Sequence, residues 1–177
     1  MKQVYLLTGR PGTGKTSLIK EIATQMKGKA GGFYTEEVRN QGVREGFRLI
    51  TLDGEKVILA HINIHSPFRV SKYGVDIDAL ERVGVPALYK AIQQRDLVVI
   101  DEVGKMELFS TGFREAVSQA IDSSKKVLGT IMLNSEQFTD VIKRKPQVNL
   151  ITVTRGNYQQ VLEELRNWLK ATDSSRL

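Results

Sequence analysis

Two groups of residues in this chain have the types and spacing needed to handle a polyphosphate. The first, Gly9-Arg10-Pro11-Gly12-Thr13-Gly14-Lys15-Thr16, has the spacing G-x-x-x-x-G-K-[ST] of a phosphate-binding P-loop. Gly12 and Gly14 let the backbone come close to an anion, so that successive N–H groups aim at its oxygens. Lys15 is suited to reach the β- and γ-phosphates and Thr16 to offer a hydroxyl to Mg²⁺, both at the positive end of a helix. The second group is Asp101-Glu102, which ends the apolar run Leu97-Val98-Val99-Ile100. An Asp at the C-terminal end of a buried strand, a Walker B position, can hold Mg²⁺ directly or through its water shell opposite Thr16. Glu102, one residue on, is suited to polarise a water aligned with the γ-phosphate. The plainer readings are a glycine turn joining a strand to a helix and an acidic pair capping the next helix.

The surrounding elements favour the chemical readings. Val4-Tyr5-Leu6-Leu7-Thr8 before the P-loop is the short apolar run of a buried parallel strand. After it, Leu18, Ile19, Ile22, Ala23 and Met26 recur at helical spacing, and Gly28 offers a stop.

The chain has 177 residues, 41% of them hydrophobic, enough for one good core, so one domain over 1–177 is the expectation. The net charge of +6 suits an anionic nucleotide as well as a solvated lysine-rich surface. No basic stretch interleaves with aromatics, which speaks against nucleic acid. There is no cysteine, which excludes disulfides and cysteine-held metals. The first strand starts within a few residues of the N-terminus and no apolar run reaches the ~18 residues of a membrane span. The expectation is a soluble, cytoplasmic protein, not attached to membranes, with a monomer the favoured state.

Residues from about 32 to 60 are β-patterned, with turns at Asn40-Gln41-Gly42 and Asp53-Gly54. They predict an antiparallel meander, 32–39, 47–52 and 56–60, extending a mainly parallel sheet along one edge. Thr35, Glu36 and Arg39 are candidates to face the γ-phosphate or water, or else polar residues of an exposed strand face. Residues 61–76 read as a loop. It carries His61 and His65, whose spacing would suit a metal only on a helix with a third ligand, and Pro67 and Asn63 argue against a helix. Helices are predicted over 78–82 and 86–95, the second with Pro86 at its first position.

Asp followed by Glu sorts the fold further, because kinases and small GTPases usually lack this Glu. P-loop ATPases that carry it generally insert a strand between the P-loop and Walker B strands, and Lys126-Val127-Leu128-Gly129-Thr130 fits that strand. Thr130 is then a candidate γ-phosphate sensor, or a hydrogen-bonding turn residue. Val103 and Gly104 join the residues expected around the nucleotide. Lys105 is suited to neutralise charge growing on the phosphoryl group, its alternative being a salt bridge to Glu107 or Glu102. A helix over 110–122 buries Phe113, Ala116, Val117 and Ala120.

Taken together, Gly9–Thr16, the segment 32–39 and the block Ile100-Asp101-Glu102-Val103-Gly104-Lys105-Met106-Glu107-Leu108 resemble one family, the small P-loop nucleoside-triphosphatases that include the human cancer-related NTPase. Tyr73-Gly74-Val75-Asp76 and Gly129-Thr130-Ile131 extend the resemblance over nearly the whole chain. It implies Mg²⁺-dependent hydrolysis of ATP, GTP, CTP and UTP with weak base discrimination, on an α/β sheet of the recombinase-like ATPase type. A regulatory switch with slow hydrolysis and a nucleoside or nucleotide kinase are the alternatives.

The chain closes with a helix over 136–143, a strand over 149–153 and an amphipathic helix over 157–171. That last helix buries Val161, Leu162, Leu165 and Leu169, with Trp168 beside them. Arg155 follows the last strand, at the sheet end where open α/β folds bind ligands, and is suited to stack on a base or touch a phosphate. Asn157 reads as the helix N-cap, and residues 173–177 are expected to fray.

Overall fold

Along the central strands, neighbouring residues are buried on opposite faces of one sheet. Val4 and Leu6 of β1 (Val4–Thr8) enter one core and Tyr5 and Leu7 the other, and Val98 and Ile100 of β7 (Leu97–Val103) likewise separate from Leu97 and Val99. Both faces being covered, these strands read as continuous apolar runs. The computed structural model describes residues 2–171, and the expected fraying of 173–177 lies outside them.

The remaining strands are β2 (Ala30–Asn40), β3 (Val43–Thr51), β4 (Lys56–His61), β5 (Arg69–Val70), β6 (Tyr73–Val75), β8 (Lys126–Ile131) and β9 (Val148–Thr152). Their order is β5-β6-β4-β3-β2-β7-β8-β1-β9. From β2 to β9 all neighbours are parallel, and β8 lies between β1 and β7, where the Asp-Glu pair implied an inserted strand. From β2 to β5 the pairing is antiparallel, so the meander continues the same sheet.

One core lies under α1 (Lys15–Gln25) and α6 (Tyr158–Lys170), the other under α3 (Val85–Gln94) and α4 (Thr111–Asp122), with α5 (Gln137–Lys143) supporting β9. Leu18, Ile19 and Ile22 of α1 are fully buried, each stabilising the fold by about 1.5–3 kcal/mol relative to exposure.

Three expectations are corrected. The segment 61–76, read as a loop, contains β5 and β6, which are too short to show a two-residue period. The helices expected over 78–82 and 86–95 are one continuous rod: α2 (Ile77–Ala79), a π-helical stretch Leu80–Gly84, and α3. Pro86 falls inside it. Proline lacks an N–H and its ring crowds the carbonyl four residues back, and the π stretch, in which Val85 N–H donates to Leu80 O, absorbs that misfit. Trp168 belongs in the core, with its ring 4.5 Å from that of Tyr5, whereas Leu169 is only partly buried. Among the described residues no helix is long and apolar enough to cross a membrane.

Candidate active site

β1 delivers its last residue, Thr8, directly to the P-loop, and the loop ends at Gly14, whose backbone (φ 95°) lies in the left-handed region. A β-carbon there would also meet the ring of Tyr158 at 2.9 Å. Glycine is thus required twice over. Tyr158 donates its hydroxyl to Glu21 Oε2 (3.3 Å), and Arg166 pairs with Glu21 (2.8 Å), so the start of α6 braces the P-loop against α1. Within the loop, Lys15 Nζ donates to the carbonyls of Gly9 (2.9 Å) and Arg10 (2.8 Å), and Thr13 Oγ1 donates to Arg10 O (2.9 Å). Arg10, Pro11 and Gly12 are exposed.

Across from the loop, Asp101 is almost wholly buried (1% exposed). Its Oδ1 accepts from Thr130 Oγ1 at 2.7 Å, and its Oδ2 from Thr16 Oγ1 at 3.2 Å and the Thr35 amide at 3.3 Å. Three separate elements, β8, α1 and β2, therefore aim donors at one carboxylate. Burial pushes the Asp101 carboxyl up from its ordinary value, and these donors with the Lys15 charge oppose the shift. Every donor in hydrogen-bond contact with it is neutral. A fully buried carboxylate whose direct hydrogen-bond donors are hydroxyls and an amide is a fit partner for a divalent cation.

Glu102 is half-buried and stands differently. Burial and then the neighbouring Asp101 push its carboxyl up, and Lys15 pulls it down. Glu107 is buried as well, and burial with the Glu102 charge raises it well above the ordinary 4.5. At Gly104 the two side chains converge: a β-carbon would lie 2.7 Å from Glu102 Oε1 and 3.3 Å from Glu107 Oε2.

The sequence candidates thus separate. Lys15, Thr16, Asp101, Glu102 and Thr130 meet at the C-terminal ends of β1, β7 and β8. Of the meander trio, Thr35 reaches Asp101 through its backbone, while Glu36 pairs with Lys20 (2.6 Å) and Arg39 with Glu37 (2.6 Å) on the surface. Val103 buries its side chain in the core, which leaves only its backbone for a ligand. Lys105 is exposed, and among the described residues neither Glu102 nor Glu107 forms an ion pair with it. Arg155 is exposed on the turn after β9. Asn157 precedes α6, but its side chain serves the turn instead of the helix: Oδ1 accepts from Thr154 N–H (2.8 Å) and Nδ2 donates to Thr152 O (2.9 Å). This corrects the expected cap and makes the turn carrying Arg155 stiff. The bracing by Tyr158 escaped sequence reasoning, since nothing local to residue 158 signals a contact with residue 14.

The family model described as NTPase matches residues 4–166. Nucleoside-triphosphatase THEP1 of Thermotoga maritima is 47% identical over 165 residues, covering 93% of this chain and 94% of that one. THEP1 of Methanocaldococcus jannaschii is 41% identical over 169 residues, covering 93% and 96%. Among solved structures, THEP1 from the hyperthermophile Aquifex aeolicus superposes with a TM-score of 0.86 at 37% identity, over 94% of this chain and 99% of that one. The solution structure of a human cancer-related nucleoside triphosphatase superposes with a TM-score of 0.81 at 34% identity, over 97% and 99%.

Proposed function

This chain belongs to the NTPase family and is a nucleoside-triphosphatase, and from that premise we propose that it hydrolyses the β–γ bond of ATP, GTP, CTP and UTP in a Mg²⁺-dependent reaction with little discrimination among bases. The observation that carries this reading is the 3.2 Å contact between Thr16 Oγ1 and Asp101 Oδ2, which joins the P-loop helix to the Walker B strand through a sealed carboxylate. Thr16 and Asp101 would hold Mg²⁺, which when bound supplies positive charge to the phosphate oxygens. The P-loop amides and Lys15 bind the β- and γ-phosphates, with Lys15 exchanging its two loop carbonyls for them. Thr130 keeps Asp101 aimed by its 2.7 Å hydrogen bond.

Glu102 takes the proton of the attacking water. Its raised carboxyl suits that work, since a base must hold a proton briefly in the transition state. Lys105, free of ion pairs among the described residues, is available to approach the phosphoryl group, and Arg155 to stack on the base. A lone guanidinium on an exposed turn offers little to tell one base from another. The same reading takes 1–177 as one P-loop NTPase domain, with the antiparallel segment of about 32–60 as an insertion, supported by the unbroken sheet. A cytoplasmic monomer completes it.

The test is phosphate release from each of the four triphosphates with Mg²⁺ or EDTA, with and without nucleoside acceptors, in wild type and Glu102→Gln. Phosphate should appear without an acceptor, stop in EDTA, and differ among bases by far less than the ~1000-fold of a dedicated polar pocket. Glu102→Gln should lower kcat about 100-fold or more, roughly 2.7 kcal/mol, with little change in nucleotide Kd. A Glu102→Gln rate within a few-fold of wild type would remove Glu102 from the mechanism.

A further inference from the structure

Glu107 begins the 3₁₀ turn Glu107–Phe109 and is 5% exposed, yet none of the ion pairs among the described residues includes it. The charged groups that act on it are both acids, Glu102 and Asp101, and its carboxyl faces the amides of Gly104 and of Glu107 itself. Burial first, and then the Glu102 charge, push that carboxyl well above its ordinary value.

The turn that carries it is clamped. Leu108 N–H donates to Gly104 O and Ser110 N–H to Glu107 O, both at 3.0 Å, and Arg114 donates to Leu108 O at 2.6 Å. Ser110, wholly buried, accepts from Phe113 N–H at 3.0 Å and donates to Glu81 Oε1 at 2.8 Å, tying the turn to the π-helical stretch. Glu102, by contrast, has several side-chain torsions and forms no ion pair among the described residues. Its Oε1 and Glu107 Oε2 lie 2.7 and 3.3 Å from the place that a Gly104 β-carbon would take.

We propose that Glu107 is a positioning residue that fixes the Glu102 carboxyl above Gly104, from a rigid turn, so that Glu102 meets the attacking water in one orientation. The proposal rests on Glu102 as the group that takes the water's proton. A side chain acting in this way contributes to kcat and not to nucleotide binding, and its effect disappears once Glu102 can no longer act.

The experiment is a double-mutant cycle on the full chain with Mg²⁺-ATP, reading kcat and KM for Glu107→Met, Glu107→Gln, Glu102→Gln and the Glu102→Gln/Glu107→Met pair. Met matches the buried volume without a polar atom, and Gln keeps a donor and an acceptor. Glu107→Met is expected to lower kcat about 30-fold with KM within about threefold of wild type. Glu107→Gln is expected to recover at least about tenfold of that loss, and in the Glu102→Gln background Glu107→Met should cost less than about threefold. Equal losses in both backgrounds, no rescue by Gln, or an unaffected Glu107→Met would overturn the proposal while leaving Glu102 in place. Should Glu107→Met not fold, a Glu107→Gln enzyme slowed about 30-fold overturns it by itself. A wild-type rate for Glu102→Gln overturns the assignment of Glu102 and, with it, this role for Glu107.

Discussion

Glu37 and Glu107 are the same residue type in one chain, and the two halves of the sheet treat them in opposite ways. On the meander, Glu37 sits between Arg44 (3.0 Å) and Arg39 (2.6 Å) with 40% of its side chain exposed, and hydrogen bonds from these arginines hold its carboxyl below the ordinary range. Glu36 beside Lys20 and Asp53 beside Lys90 and Arg95 are lowered in the same manner. On the parallel half, Asp101, Glu102 and Glu107 are crowded together in the interior, and each is raised, first by burial. The meander spends its carboxylates on neighbouring cations in water, where each pair stabilises the fold by only ~0.2–1 kcal/mol. These three acids form no ion pair among the described residues, and Lys15 is the cation that acts on Asp101 and Glu102. That arrangement costs stability, and it is the one that the proposed mechanism needs for a cation at Asp101 and a reacting water at Glu102.

The largest break in this comparison should come from Lys15. Lys15→Ala removes the charge that draws Glu102 down and the contact to the transferred phosphoryl group, and phosphate release should vanish while circular dichroism stays native. Hydrolysis at the wild-type rate by a folded Lys15→Ala protein would sink the P-loop assignment. Next, Asp101→Asn should weaken Mg²⁺-dependent nucleotide binding and turnover together, which a Mg²⁺ titration at fixed ATP would record as a higher half-saturating Mg²⁺ concentration.

A third expectation concerns pH. A carboxyl raised in the folded state contributes stability that is present below its unfolded value, near 4.5 for Glu107, and lost as pH rises through the folded value. Urea midpoints of wild type should therefore decline as pH rises above about 5, and Glu107→Gln should decline less, gaining on wild type as pH rises. The meander carboxylates act with the other sign, their stabilisation being lost as pH falls through their lowered values. Parallel wild-type and Glu107→Gln curves would mean that Glu107 is ionised in the folded protein. The smallest effect belongs to Glu37→Gln, under about 1 kcal/mol in urea denaturation and with kcat within about twofold.

How far the sequence could be read follows from the range of the forces involved. The P-loop, the Walker B run and the hairpin at Gln41 and Gly42, both with positive φ (48° and 77°), are set by local spacing and backbone conformation, and these were legible. So was β8 between β1 and β7, because an Asp-Glu pair implies it. What escaped depends on contacts far apart in the chain. Trp168 reads as flanking its helix face until Tyr5 is brought beneath it, and Tyr158 touches Gly14 only once α6 returns alongside α1. Glu107 reads in the sequence as a salt-bridge partner for Lys105, and only the fold around Gly104 shows it enclosed. β5 and β6, with pairing restricted to Arg69–Gly74, Val70–Tyr73 and two contacts with β4, are defined by partners and carry too few residues for a pattern.

The π stretch at Leu80–Gly84 carries a record of how the chain can change length. A π turn holds one residue more than the α-turn it interrupts while the helix on either side keeps its direction, so it is an insertion already absorbed. Deleting a residue from a helix ordinarily rotates everything beyond it by about 100° and turns a buried stripe toward water. Here Leu88 and Ala91 lie beyond the π stretch and Leu80 opens it, all in one core. Removing one residue from this stretch, together with Pro86→Ala, would return an ordinary α-helix with both buried stripes in place. The helix crossing this face of the sheet is thus one place in the chain where a residue can be removed, with Pro86 replaced, while Leu80, Leu88 and Ala91 stay in one core.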